Sequence, residues 1–151
     1  MKNKNDQISI GGAVVFRENR GRQQFMVVKQ KEESDWEIPK ITVRKGESSV
    51  RATIRMTSEQ AGMTTRVLEE ASRSTGSTVI NGKPVSQKFY YYLMISKTGG
   101  ADAIGFYDFE WLDYGKAVKK LVPKKEKDVL RSARNVLKEW QKTHNRRQLQ
   151  E

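Results

Sequence analysis

Apolar residues cluster in short bursts separated by polar, glycine-marked stretches. Ile8 to Phe16 is β-rich and contains the pair Gly11-Gly12, which predicts a strand with a bulge or a close backbone approach. Arg17 to Arg22 is polar around Gly21 and predicts a turn. Gln24-Phe-Met-Val-Val-Lys29 then returns as a second strand, so the two make a hairpin. A charged loop, Lys31 to Asp35, leads into Trp36-Glu-Ile-Pro-Lys40.

The period then lengthens to that of a helix. Ser48 or Ser49 is a fitting N-cap, Gly62 a fitting left-handed stop, and the helix between them runs to about Ala61. Val50, Ile54 and Thr57 are expected on its core side. Arg51, Arg55 and Glu59 recur at every fourth position along another face, which offers an Arg55–Glu59 ion pair. Arg66 to Ser77 reads as a strand and loop. Asn81-Gly82 is the strongest hairpin signal in the chain, and the aromatic run Phe89 to Tyr92 alternates faces on the returning strand. Lys97 to Gly105 is a glycine-rich loop, Phe106 to Asp113 a late strand, and Tyr114 to Val122 a short helix stopped by Pro123. The last element, about 124–142, is an amphipathic helix with Leu130, Ala133, Val136, Leu137 and Trp140 on one stripe. Lys127, Arg131, Arg134, Lys138 and Lys142 form the other, and a polar, frayed tail is expected over 143–151.

With 151 residues and 36% apolar content, this pattern predicts one domain over 1–151. No apolar run is long enough to cross a bilayer, and the polar start, Met1 to Asp6, has no signal-like stretch behind it, so a cytoplasmic protein without membrane contact is expected. The absence of cysteine excludes disulfides, thiolate metal sites and cysteine nucleophiles. The lone His144 reads as a surface residue. A net charge of +11 favours polyanions: RNA, DNA, nucleotides or inositol phosphates.

Residues Glu47 to Gly62 resemble the signature of the Nudix family, G-x5-E-x7-R-E-U-x-E-E-x-G-U, where U is a bulky aliphatic. Laid on this chain, the leading Gly falls on Ile41, the first Glu on Glu47, the Arg on Arg55 and the closing Gly-U on Gly62-Met63. The three helix carboxylates fall on Met56, Glu59 and Gln60, leaving one acid. Trp36 to Lys40 resembles the family's entry into this box, and Trp111-Leu112 its late strand. The resemblance runs from about Ile8 to Trp140 and implies an α/β/α sandwich around a mixed β-sheet. It also implies ancestry among hydrolases of nucleoside diphosphates linked to another group, commonly magnesium-dependent.

Carboxylates at i, i+3 and i+4 share a helix face and can hold hard divalent cations. On that geometry Met56, Glu59 and Gln60 are expected to share one patch, where a thioether and a neutral amide weaken the metal site. The family's helix is acid-rich. This one carries Lys40, Arg44, Lys45, Arg51 and Arg55 against Glu47 and Glu59 between Pro39 and Met63.

Three readings follow. The first is a protein with weak or no hydrolase activity that binds a nucleotide or other phosphorylated small molecule. Arg44, Lys45, Arg51 and Arg55 would contact phosphate, Trp36 and outward-facing members of Phe89–Tyr92 would offer stacking surfaces, and no metal would be needed. The second is an active hydrolase: Glu47 and Glu59 would hold magnesium or manganese, Arg55 would belong to the same catalytic set, and Asp102 or Glu110 would supply the missing acid. The third is RNA or ribonucleoprotein binding through Lys127, Arg131, Arg134 and Lys138 on the C-terminal helix.

Overall fold

The computed structural model describes residues 7–99 and 103–150. Six strands and three helices follow one another as β1 (Gln7–Asn19), β2 (Arg22–Lys29), β3 (Lys40–Thr42), α1 (Ser49–Glu59), β4 (Thr64–Ile80), β5 (Lys83–Thr98), β6 (Asp108–Asp113), α2 (Tyr114–Lys120) and α3 (Lys124–Gln150). The strands form one mixed sheet in the order β4-β5-β1-β2-β6, with β3 added to β1.

Both expected hairpins form. Arg20 and Gly21 turn β1 into β2 with φ of 54° and 79°, and Asn81 and Gly82 turn β4 into β5 with φ of 52° and 77°, the left-handed pairs that match the twist of the flanking strands. One side of β1 pairs in parallel with β5 from Gln7↔Ser86 to Phe16↔Ile95. Elsewhere β1 pairs antiparallel with β3 at Ile10–Gly12 and with β2 at Phe16–Asn19.

Central strands covered on both faces need continuous apolar runs. Ala13 to Phe16 and Phe25 to Val28 supply them, and alternation sends their side chains to two cores. Ala13, Val15, Met26, Val28 and Met94 face α1, where Met56, Ala61 and Met63 close the layer. Val14, Phe16, Phe25, Val27, Tyr91 and Leu93 face α2 and α3, against Ala117, Leu121, Val129, Leu130, Ala133 and Leu137. The result is the expected α/β/α sandwich.

The Gly11-Gly12 pair serves close approach. A Cβ on Gly11 would stand 2.8 Å from Thr53 Cγ2 and 3.0 Å from the Ser49 carbonyl, so α1 rests directly on β1 backbone. Two spans differ from the expectation. Thr64 to Ile80 is one strand rather than strand and loop. It is held by pairing with β5 along its whole length, and register shifts near residues 64, 68 and 71 absorb its irregularities. Helix α3 continues through the residues read as a frayed tail and ends at Gln150. Among the described residues, no helix is long and apolar enough to cross a membrane.

Candidate functional site

Helix α1 begins where Ser48, in extended backbone, accepts a hydrogen bond from Arg51 N at 3.2 Å. The preceding turn closes between Arg44 and Glu47: Glu47 N donates to the Arg44 carbonyl (3.0 Å), and Arg44 N donates to Glu47 Oε1 (3.0 Å). Glu47 thereby stands at the mouth of the helix, two turns before Arg55.

Arg55 reaches back to it with Nε 2.8 Å from Oε2 and Nη2 3.0 Å from Oε1. This bidentate geometry, together with the Arg44 amide, holds the Glu47 carboxyl down at about 2 and raises the Arg55 guanidinium. The expected Arg55–Glu59 pair therefore does not form. Glu59 is exposed and, among the described residues, has no ion pair or hydrogen bond; it acts on Arg55 only through its field.

The helix carries two stripes. Arg51, Ile54, Arg55, Ser58 and Glu59, with Glu47, line an open cleft of about 590 Å³. Ala52, Thr53, Met56 and Thr57 are buried against the sheet. Of the expected core trio, only Thr57 is buried; Ile54 is 42% exposed, because contact of Ser49 and Thr53 with Gly11 rotates the helix. The expected patch of Met56, Glu59 and Gln60 is likewise divided. Met56 is 0% exposed within the apolar layer, whereas Glu59 faces the cleft.

Gln60 sits at the helix end beneath the turn that follows β5. Its carbonyl accepts from Gly105 N at 2.9 Å, and a Cβ on Gly105 would stand 2.5 Å from Gln60 Cα. Ala103 and Phe106 of this turn join Met56 in the buried layer. Gln60 Oε1 is buried with no partner among the described residues. Asp102 lies outside the described residues.

Other expected site residues are dispersed. Trp36 packs on the α2–α3 side of the sheet, its carbonyl accepting from Val122 N at 3.1 Å and its ring lying 4.6 Å from Lys120 Nζ. It is thus on the opposite side from the α1 cleft. Glu110 pairs with Lys120 at 3.2 Å, and its strand neighbours Phe109 and Trp111 are the ones that face α1. Alternation along β6 therefore turns Glu110 away from that cleft. Arg44 and Lys45 are exposed in the turn before α1. In the aromatic run, Phe89 and Tyr91 face α3, their rings stacked at 6.2 Å, while the Tyr92 hydroxyl meets Ser49 Oγ at 2.5 Å.

The basic row of α3 is largely engaged. Lys127 Nζ donates to the Val118 carbonyl (2.6 Å), Arg134 lies 4.1 Å over Tyr114, and Arg131 pairs with Asp128 (2.8 Å). Lys138 is exposed.

The sequence reading missed Glu126, which is 4% exposed. Its carboxylate accepts from Ile38 N (2.8 Å), Lys40 Nζ (2.5 Å) and the Tyr91 hydroxyl (3.1 Å), and Lys40 also pairs with Glu37. Burial and this neighbouring carboxylate push the Tyr91 hydroxyl up. The sole sequence signal was one acid within a lysine run.

A NUDIX domain family model matches residues 9–133. A Caenorhabditis elegans Ap4A hydrolase binary complex is similar at 23% identity and a TM-score of 0.67, covering 86% of this chain and 97% of that one. The NUDIX domain of Shewanella oneidensis NrtR, complexed with ADP ribose, is similar at 14% identity and a TM-score of 0.64, covering 87% and 88%. A NUDIX hydrolase from Nitrosomonas europaea reaches a TM-score of 0.68 at 12% identity, covering 85% and 89%. At these identities the likeness is one of fold. No curated protein matches the chain.

Proposed function

The chain belongs to the Nudix family, and on that premise we propose that it binds a nucleotide or other phosphorylated small molecule beside α1, with hydrolysis weak or absent. The observation that carries this reading is the burial of Met56. The position to which the family signature gives a metal-binding glutamate is occupied by a thioether that is 0% exposed.

The donor set does not fit a resident magnesium or manganese. Glu47 spends its carboxylate on Arg55 and the Arg44 amide, Glu59 shares the cleft with no acid but this engaged one among the described residues, and the unsatisfied Gln60 oxygen is a neutral amide. Among the described residues no three acidic or histidine side chains converge.

Phosphate recognition has support in the same cleft. Arg51 is exposed on its wall, and Arg55 is held rigid by Glu47. A guanidinium offers phosphate paired, charge-assisted bonds, and a preorganised one loses less freedom on binding. These groups can hold and orient a phosphate. They do not generate hydroxide at neutral pH.

Because similar folds include one complexed with ADP ribose and one named for Ap4A hydrolysis, those two compounds and ATP form the first panel. The full chain is titrated by calorimetry with and without magnesium or manganese while product release is followed. Metal-independent binding, weakened at least about ten-fold by Arg51→Glu, is expected. Metal-dependent turnover abolished by Glu59→Gln would reject this reading for the active-hydrolase one.

A further inference from the structure

From Lys116 to Lys127 the chain carries six lysines and a single acid, Glu126, which is buried and neutralised by Lys40. Lys120 is paired with Glu110, Lys127 caps Val118, and Lys125 donates to the Thr75 carbonyl at 2.6 Å. Lys116, Lys119 and Lys124 are exposed and have no partner among the described residues. Lysines at the end of α2 suit its dipole. Lys124 and Lys125 do not, because they occupy the first turn of α3, where the helix field disfavours cations. Helix stability does not account for them.

The corner adjoins a cavity. Lys125 meets the edge of the β4–β5 ribbon from the α3 side, its Nζ 5.5 Å from the Phe89 ring, and Thr75 and Phe89, which it touches, border a hollow of about 290 Å³ whose Arg73 and Tyr90 lie on the ribbon's other face. That hollow is lined by Arg73, Ser74, Thr75, Lys88, Phe89 and Tyr90. Arg73 sits 5.2 Å over the Tyr90 ring, and Ser74 Oγ is buried with no partner among the described residues.

We propose that this corner and ribbon bind single-stranded nucleic acid, the lysines taking phosphates and the aromatic, cationic hollow taking an unstacked base. Stacking on an aromatic or guanidinium plane beside a basic track is how unpaired strands are held. The chemistry disfavours a lipid surface: among the described residues the large exposed apolar side chains here are Val122 at the corner and Val79 and Ile80 at the end of β4, few beside the cations of the same surface. The surface is separate from the α1 cleft, so the proposal stands independently of the ligand assigned there.

The test uses the full chain and fluorescence anisotropy with a labelled oligouridine and an oligothymidine of about 20 nucleotides, a duplex of equal length, and phosphatidylserine vesicles, at about 50 and 200 mM salt. Tighter binding of either single strand than of the duplex is expected. Lys116→Glu/Lys119→Glu/Lys124→Glu should weaken it at least about ten-fold and reduce the salt slope by about 2, at roughly 0.7 per phosphate contact. Tyr90→Leu should erase the preference over duplex, while Arg131→Glu/Lys138→Glu should cost no more than about three-fold. Circular dichroism confirms that each variant is folded. Equal affinity for duplex, equal loss from the α3 variant, no effect of the corner variant, or vesicle binding without oligonucleotide binding would each overturn the proposal.

Discussion

Glu47 and Arg55, eight residues apart, meet through two parallel bonds of 2.8 and 3.0 Å, and the loop entering α1 is thereby tied to the second turn of the helix it precedes. The same contact decides the electrostatics of the cleft. It engages both oxygens of Glu47, fixes Arg55 in orientation, and leaves Glu59 as an acid without a partner among the described residues.

This pair makes the fold acid-sensitive in a defined window. The Glu47 carboxyl lies at about 2 in the folded chain against an ordinary 4.5, so its stabilising contribution is complete above 4.5 and disappears as pH falls toward 2. Melting temperatures of the parent chain and of Glu47→Gln should differ by a constant amount at neutral pH, then converge through that interval. A difference that grows on acidification would show the pair to be absent in solution.

Met56 is a core residue, so placing a glutamate there has a structural cost. Met56→Glu alone should destabilise the chain by about 3 kcal/mol or more, because a carboxylate would be stranded among Val15, Met26, Val28 and Met94. Met56→Leu should cost less than about 1.5 kcal/mol. The double variant Met56→Glu/Gln60→Glu should gain no thermal stability from magnesium. A magnesium-dependent rise in its melting temperature would show that these side chains can converge on a cation.

Glu126 joins α3 to the segment before β3. Glu126→Ala leaves Ile38 N, the Tyr91 hydroxyl and Lys40 without their acceptor and should cost about 3 kcal/mol in urea unfolding. Glu126→Gln keeps an acceptor for some of these donors and should cost clearly less. Equal losses would mean that packing volume, rather than charge and hydrogen bonding, holds this junction.

Most of the fold was legible in local pattern. The runs Ala13–Phe16 and Phe25–Val28, the Asn81-Gly82 turn, the Ser48 cap and the stop at Pro123 each act within a few residues, so their physics is visible one segment at a time. The continuity of β4 was not legible. Thr64 to Ile80 is small, charged and irregular, and it is straightened by a partner strand rather than by its own periodicity. Of the expected site residues, the fold brings Glu47, Arg51, Arg55 and Glu59 to one cleft, as helical spacing suggests, but places Met56 in the core and Trp36 across the sheet. Helical spacing puts positions 56, 59 and 60 within a broad arc, but the contact of α1 with Gly11 decides where that arc is cut between core and cleft.

What the residues determined by themselves is the family, the sandwich and a single acid on α1, since these rest on identity and short-range spacing. Tertiary contacts decided which charges are free. Glu47 is consumed by Arg55, Glu126 by Lys40, Ile38 and Tyr91, and Lys127 and Arg134 of α3 by α2, while Lys116, Lys119 and Lys124 stay exposed. Charge is carried by a residue wherever it lies, but the availability of that charge depends on partners brought close only when the chain has folded.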